Sequence, residues 1–341
     1  MPKISVVIPI FNGEVFLRQT LESLRNQKFI DFEVLCVDDC STDQSPNIIG
    51  QFSTRDPRFR YLRTPVNLGI VPKVMNFAAA FAQGDYFVYS SQDDIFSADW
   101  LQKMYETAVD TGADATIPDV EFYYEGGINN QRITGLRSDH SVQLTGREAF
   151  VHSLDWTISG NALWRMNFLK NTGFYDFGMF ADEYTVRQYF LLCEKVVFCG
   201  GVFYYRQDNP GAITKKISPK LLDYTYNNIM LWRLVIEKGF GKEIHAPQAL
   251  STMRSLIRSK KILTKLPEFS KHISVIDACF GDLESLAYKT SLQAGLVNKE
   301  NFLKRFMYVH VWRSKRIFHM LLWLSIKLAA IKNMLRRPKA V

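Results

Sequence analysis

The feature that most constrains this chain is a repeated unit in its first hundred residues: a short apolar run, a break, then leucines at helical spacing. Ile4-Ser5-Val6-Val7-Ile8-Pro9-Ile10 is rich in β-branched residues and has no polar alternation, which reads as a strand buried on both faces, as in parallel sheets. Asn12-Gly13 breaks it, and Leu17, Leu21 and Leu24 then mark one helical face. A second run, residues 34–37, stops at Asp38-Asp39. Ser41 followed by Gln44 has the spacing of a capping box for the next helix, a role that would leave Asp38 and Asp39 for other work. Residues 61–62 form a weak third strand, residues 72–82 a helix with Pro72 in its first turn, and residues 86–89 a fourth strand that runs into Ser90-Ser91-Gln92-Asp93-Asp94. The alternation predicts an α/β fold with a Rossmann-like, mostly parallel central sheet flanked by helices. Such sheets bind ligands beyond the carboxyl ends of their strands, where both acidic pairs fall.

Residues 113–205 mix strands, loops and helices, and the runs 196–198 and 202–205 read as closing sheet structure. From Ser218-Pro219, an N-cap and first helical position by type, the pattern turns helical. The expected division is 1–215, a catalytic α/β domain, and 216–341, a helical C-terminal region. With 341 residues, 47% hydrophobic and 22% charged, the chain has ordinary globular composition.

The net charge of +8 is concentrated at one end. Residues 301–341 hold ten of the 42 Lys and Arg and none of the Asp or Glu, leaving 32 basic residues against 34 acidic ones elsewhere. A nucleic-acid-binding domain would carry its basic residues on the folded body, so nucleic acid is not an expected partner. The five cysteines lack CxxC or Cys/His spacing, which argues for free thiols and against zinc. Residues 1–3 precede the first strand without a basic segment and long apolar stretch, so a cytoplasmic location is the expectation.

Six landmarks carry a family resemblance: residues 5–12, the Val37-Asp38-Asp39-Cys40-Ser41-Thr42-Asp43 segment, Asn67-Leu68-Gly69, Gly84-Asp85-Tyr86, Gln92-Asp93-Asp94 and Asp182-Glu183. In this order the chain resembles the family-2 inverting glycosyltransferases of the GT-A fold, of bacterial polysaccharide or lipopolysaccharide type, over residues 3–215. The resemblance implies a nucleotide-sugar donor, with UDP the weighted choice, held by Pro9, Ile10, Phe11, Asp38, Asp39, Asn67, Gly69, Lys73 and Gln92. Phe11 would pack on the nucleobase or serve as core. Lys73 would reach a phosphate or lie on a solvated helix face. The sequence departs from the family at Cys40, where glycine is usual, and at Ser91, where the first aspartate of the Asp-X-Asp motif would stand.

The chemistry needs a cation and a base. A divalent cation, Mn²⁺ or Mg²⁺, neutralises charge on a departing diphosphate and can be held by one or two carboxylates because phosphate and water complete its shell. The resemblance gives Asp93 as its ligand, with Asp208 as a second ligand or a turn residue, and Asp94 to orient a metal-bound water or the donor sugar hydroxyls. It implies that Glu183, with Asp182 in reserve, takes the proton of the acceptor hydroxyl; both would otherwise be helix-start charges favoured by the macrodipole. Trp156 and Asn161 lie where a glycan or lipid-linked acceptor would enter.

Ile317, Leu321, Leu324, Leu328, Ile331 and Leu335 share one helical face, flanked by Lys and Arg. Lys327 interrupts the apolar run, so the segment reads as an interfacial helix drawn to an anionic membrane surface through residues 301–341, or as a core-packed helix with a basic end. The first of these places the enzyme at the inner face of the cytoplasmic membrane. Other classes fit less well. A nucleotidyltransferase or a Rossmann methyltransferase needs a glycine-rich turn after the first strand, and residues 10–13 supply one glycine. A catalytically impaired carbohydrate- or nucleotide-binding relative is the alternative that Ser91 and Cys40 suggest.

Overall fold

The computed structural model describes residues 1–263 except 128–129 and 216–217, together with the single residues 278, 281 and 320. It contains two compact units, Met1–Ala212 and a second that starts at Ile213. The first begins with β1 (Ile4–Ile10), α1 (Leu17–Arg25), β2 (Phe32–Asp38), α2 (Ser45–Arg55), β3 (Phe59–Arg63), α3 (Val71–Ala79) and β4 (Tyr86–Tyr89). It continues with β5 (Ile95–Phe96), α4 (Trp100–Thr111), β6 (Ala115–Tyr123), β7 (Gln131–Ile133), α5 (Gly146–Ser153), β8 (Leu163–Arg165), α6 (Ala181–Leu192) and β9 (Val196–Arg206).

One sheet holds these strands in the order β3-β2-β1-β4-β8-β6-β9-β5, with β7 on β6. The long pairings are parallel, and the antiparallel ones cover two or three residues each. Because β8 is antiparallel to both β4 and β6, those two strands run the same way, and β9 runs with them. Six strands therefore end at one edge, bringing together the chain after Asp38, Tyr89, Tyr123 and Arg206.

Burial explains why the apolar runs become strands. Ile4, Val6, Ile8 and Ile10 of β1 pack in one cluster with Leu17, Leu21 and Leu24 of α1 and with Ile48, Ile49 and Phe52 of α2. Each such side chain removed from water contributes roughly 1.5–3 kcal/mol. A second cluster seats α6: Trp164 lies 4.9 Å from Phe190 and 5.4 Å from Tyr189, and Tyr189 packs edge-on to Phe87 of β4 at 6.2 Å. Gly160 also fits closely against α6, since a Cβ there would come 2.6 Å from Val186 Cγ2. These contacts fix the acidic first turn of α6 near the end of β4.

The runs 196–198 and 202–205 do close the sheet, as one strand, β9, whose register on β6 shifts between Pro118 and Asp119 so that Gly200 and Gly201 bulge out. One local feature departs from the sequence reading. The Ser41 capping box does not form: α2 starts at Ser45, and the Ser41 hydroxyl instead accepts from the Asn12 N–H at 3.0 Å. The preference of a short side chain for a local N–H is satisfied across the two loops rather than within one.

In the second unit, a single 3₁₀ turn at Pro219–Leu221 leads into α7 (Leu222–Glu237), followed by α8 (Lys242–Leu263). The two helices are joined by a Thr225–Ser259 hydroxyl pair at 3.1 Å and by Gln248 and Thr252, which both donate to the Asn228 carbonyl at 3.2 Å. No helix among the described residues is long and apolar enough to cross a membrane. The amphipathic segment expected over 301–341 lies outside the described residues, Met320 apart.

Candidate active site

At the ends of β1 and β2 nearly every polar group is already used. The Ile10 carbonyl accepts from Asp39 N–H at 2.7 Å, and the Gln92 side chain pairs with both backbone groups of Phe11, at 2.8 and 3.1 Å. Pro9 has no N–H to give. What remains outward is the Phe11 ring, 47% exposed. Asp38 is fully buried; it accepts from Ser41 N–H at 2.8 Å, Tyr61 at 3.1 Å and Arg63 at 2.6 Å.

Asp39 gathers the neighbouring loop. One carboxylate oxygen accepts from Thr64 at 2.9 Å and Leu68 N–H at 2.7 Å, and the other from Gly69 N–H at 3.0 Å. Asn67 in turn donates to the Asp39 carbonyl at 2.8 Å. Between the pair and its loop, Cys40 adopts φ +62°, and Asn12 on the facing loop φ +50°. Left-handed backbone is costly for a residue with a Cβ, which gives a physical reason for the family's glycine at the Cys40 position. Lys73 stands on the exposed face of α3, with no hydrogen-bond partner among the described residues.

The end of β4 is organised differently. Asp94 is buried; its two oxygens accept from Ser90 at 3.0 Å, Ser91 N–H at 3.1 Å and Arg206 N–H at 3.1 Å. Burial first, and then the charge of Asp93, nevertheless push its carboxyl up to about 7. Asp93 accepts from Asn209 at 2.7 Å through one oxygen, while the other makes no hydrogen bond among the described residues. Arg206 is the hub beneath them. Its guanidinium donates to the Asp93 carbonyl at 2.8 Å, to Asp208 at 3.1 Å and to Gln19, and lies over the rings of Phe16 and Tyr123 at 4.5 and 5.2 Å. Asp208 also accepts from Glu125 N–H at 2.7 Å. Although burial opposes it, these bonds hold the Asp208 carboxyl below its ordinary value.

At the start of α6, Glu183 accepts from the buried Arg187 through one carboxylate oxygen; the same guanidinium reaches the Ser153 carbonyl at 2.9 Å. The side chain of Glu183 is 26% exposed. Asp182 is pushed up to about 7, by burial and then by the charge of Glu183, against the backbone N–H groups of the first turn. Asn161 is bonded locally to the Ser159 hydroxyl, and Trp156, at φ +64°, is 36% exposed.

Two tyrosines near the strand ends are raised by burial and then by acidic neighbours. Tyr205, near the end of β9, is raised by burial and then by the charges of Asp94, Glu183, Asp93 and Asp182. Tyr89, the last residue of β4, is raised by burial and then by Asp182 and Glu183. Carboxylates from two separate stretches of chain, 93–94 and 182–183, thus contribute to the raised Tyr205 phenol.

Residues 5–173 match the family described as "Glycosyl transferase family 2". The chain belongs to that family. Among the relatives of this family 2 member is the glycosyltransferase GlyG of Streptococcus pneumoniae, 28% identical over 222 residues, or 62% of this chain and 73% of GlyG. Another is TarS of Staphylococcus aureus, a poly(ribitol-phosphate) β-N-acetylglucosaminyltransferase, 28% identical over 180 residues, or 51% of this chain and 30% of TarS. The structure of TarS residues 1–349 with UDP-GlcNAc superposes with a TM-score of 0.71 at 19% identity, covering 94% of this chain and 90% of that one. A mannosyltransferase from Pyrobaculum calidifontis, in complex with GDP-Man and Mn²⁺, superposes at 0.52 and 16% identity, covering 99% and 88%. These likenesses establish the GT-A fold.

The residues of this glycosyltransferase fit a hard divalent cation at Asp93. That side chain has an oxygen without a hydrogen bond among the described residues, and the carboxyl of Asp94 stands next to it in the chain. Asp208 fits less readily, because each of its oxygens holds a donor. Among the described residues no group of three or more His, Cys, Asp or Glu is arranged around a metal, so diphosphate oxygens and water would complete the shell. Arg206, Arg187, Tyr89 and Tyr205 were not singled out from the sequence. The sequence signals are an arginine that closes an apolar strand, Val202-Phe203-Tyr204-Tyr205-Arg206, and another four residues after Glu183 on one helical face.

Proposed function

We propose that this protein transfers a hexosyl or N-acetylhexosaminyl group from a nucleoside diphosphate, UDP being favoured, to a hydroxyl of a glycan or lipid-linked acceptor in surface polysaccharide synthesis, with inversion at the anomeric carbon. What supports this reading is the family 2 match over residues 5–173 together with Asp93-Asp94 on the segment after β4 and Asp182-Glu183 in the first turn of α6, the helix that packs on β4 through Phe87 and Tyr189. The nucleoside lies against the exposed Phe11 ring, beside the loop that Asp39 shapes through Leu68 and Gly69. UDP is favoured because TarS, of the same fold, is described with UDP-GlcNAc.

Asp93 holds the cation with the oxygen that Asn209 leaves free, and Arg206 keeps the Asp93 backbone in place. When bound, a divalent cation supplies neutralisation of the leaving diphosphate. Asp94 accepts from hydroxyls of the transferred sugar. Glu183, oriented by Arg187, takes the proton of the acceptor hydroxyl as that oxygen bonds to the anomeric carbon and the bond to the diphosphate breaks. Asp182, beside it in the first turn of α6, adds a second negative charge when ionised. Trp156 offers an apolar face to the acceptor.

Replacing Glu183 with Gln should leave nucleotide-sugar binding within about twofold while transfer falls by about 10²–10⁴. Wild-type turnover in that variant, with Asp182→Asn inactive, would move the base to Asp182. Wild-type turnover in both would remove the base from α6. The basic residues of 301–341 hold the enzyme against an anionic membrane surface on the cytoplasmic side. Changing Lys332, Arg336 and Arg337 to Glu in the full chain should abolish sedimentation with phosphatidylglycerol vesicles at low salt, and undiminished sedimentation would refute the tail's role.

A further inference from the structure

Two parts of the chain that the transfer reading uses separately are joined by one guanidinium. Arg187 on α6 has a side chain only 5% exposed. One of its terminal nitrogens donates to Glu183 twice, to the backbone carbonyl at 2.7 Å and to a carboxylate oxygen. The other donates to the Ser153 carbonyl at 2.9 Å, at the end of α5. That same carbonyl accepts from the Trp156 N–H at 3.4 Å, and so closes the turn on which Trp156 stands with its left-handed backbone.

The turn is tied down on its other sides as well. Asp155 accepts from the Thr157 N–H at 3.0 Å and from its hydroxyl at 2.7 Å, and the Ile158 N–H donates to the His152 carbonyl at 3.2 Å. Gly160 then closes on Val186, the residue before Arg187. The third nitrogen of the guanidinium, Nε, is buried without a hydrogen-bond partner among the described residues. An unmet buried N–H costs stability, and a buried ion pair is often no more stabilising than an apolar side chain of similar volume. Stability alone is therefore a poor reason for an arginine here. What the rigid fork adds is direction, since it holds a carboxylate of α6 and a carbonyl of α5 in one register.

We propose that Arg187 is a positioning residue that keeps Glu183 in register with the Trp156 turn, so that an acceptor sugar lying with its apolar face on Trp156 presents a ring hydroxyl to that carboxylate. The inference rests on the glycosyltransferase reading above, and Arg187 lies outside the six landmarks that carry the family resemblance.

The test uses Arg187→Met, which keeps much of the volume and removes the donors, and Arg187→Lys, which keeps the charge without the fork, both in the full chain. Nucleotide release from UDP-glucose, UDP-N-acetylglucosamine and GDP-mannose is followed with Mn²⁺, water taking the place of the acceptor, and amide hydrogen exchange is followed across residues 153–158. Both variants should keep the wild-type unfolding midpoint and sugar-nucleotide affinity. Release should fall by about 10- to 100-fold in Arg187→Met and by less in Arg187→Lys. The Trp156 amide should exchange roughly three- to tenfold faster in Arg187→Met, the worth of one hydrogen bond, whereas Glu183→Gln should lose release and leave that exchange unchanged. Should Arg187→Met fail to fold, a loss of release in Arg187→Lys at an unchanged midpoint carries the same conclusion. Wild-type release in the Arg187 variants would overturn the proposal, as would unchanged exchange at Trp156. If Glu183→Gln releases nucleotide at the wild-type rate, or wild type releases none, the reading beneath fails and the proposal with it; if Glu183→Gln is inactive while both Arg187 variants match wild type, only the Arg187 assignment fails.

Discussion

Asp38-Asp39 and Asp93-Asp94 end β2 and β4, on either side of β1, and consist of the same residues in the same order. The first pair accepts from Ser41, Tyr61, Arg63, Thr64, Leu68 and Gly69, so its charge is spent on shaping the loops. The second pair is left with an unbonded oxygen on Asp93 and a carboxyl on Asp94 raised to about 7. The difference teaches that an acidic pair at a strand end is not by itself a chemical site. The partners decide, and a carboxylate oxygen left without a hydrogen bond among the described residues marks the pair open to a cation and a substrate.

The largest effect expected from this contrast is on activity. Asp93→Ala should cut transfer by about 10²–10³ while leaving the urea midpoint near that of wild type, measured by donor turnover with Mn²⁺ and by denaturation. Asp39→Ala should do the reverse in kind: the buried Thr64 hydroxyl and the N–H groups of Leu68 and Gly69 lose their acceptor, and stability should fall by about 2–4 kcal/mol in urea unfolding. A destabilised Asp93→Ala beside a stable Asp39→Ala would invert the comparison.

The acid–base pair gives a pH signature. Asp182 is raised to about 7, so it carries a proton below that value and is ionised above it. Asp182 is the immediate neighbour of the proposed base, so transfer should rise as pH passes through about 7 and level off above it, and Asp182→Asn should flatten that rise. For folding the sign is opposite. A raised carboxyl favours the folded state fully below its unfolded value, and that contribution is lost as pH rises through about 7. The smallest effect belongs to Cys40→Gly. Relief of the φ +62° backbone opposes the greater unfolded-state entropy of glycine and the loss of the Sγ contact to the Thr64 carbonyl at 3.3 Å. A net gain of at most about 1 kcal/mol is expected, and a loss in urea unfolding would show that the sulfur contact outweighs the strain.

Much of the first unit could be read from the chain itself because burial on both faces leaves strong local marks. β1 and β4 span the very residues that their apolar runs indicate, and α1 buries the three leucines that define its face. Asp38-Asp39 and Asp93-Asp94 were visible for the same reason, each pair standing just beyond an apolar run, whereas Asp182-Glu183 were found by the family resemblance. Their division of labour was not. Ser41 bonds to Asn12, Asp94 to Arg206, and Gln92 to Phe11, partners 29, 112 and 81 residues away. No local pattern encodes such pairs. Arg206 illustrates the limit, since a charged residue closing an apolar strand gives no sign that it will bind two aspartates and lie over two rings.

The central claim is that Asp93 grips a cation beneath a pyrophosphate, and titration calorimetry of UDP and GDP with and without Mn²⁺ tests it most directly. In wild type, Mn²⁺ should tighten binding of the preferred nucleotide by about tenfold or more, and in Asp93→Ala it should add nothing. An undiminished Mn²⁺ effect in Asp93→Ala would contradict the account.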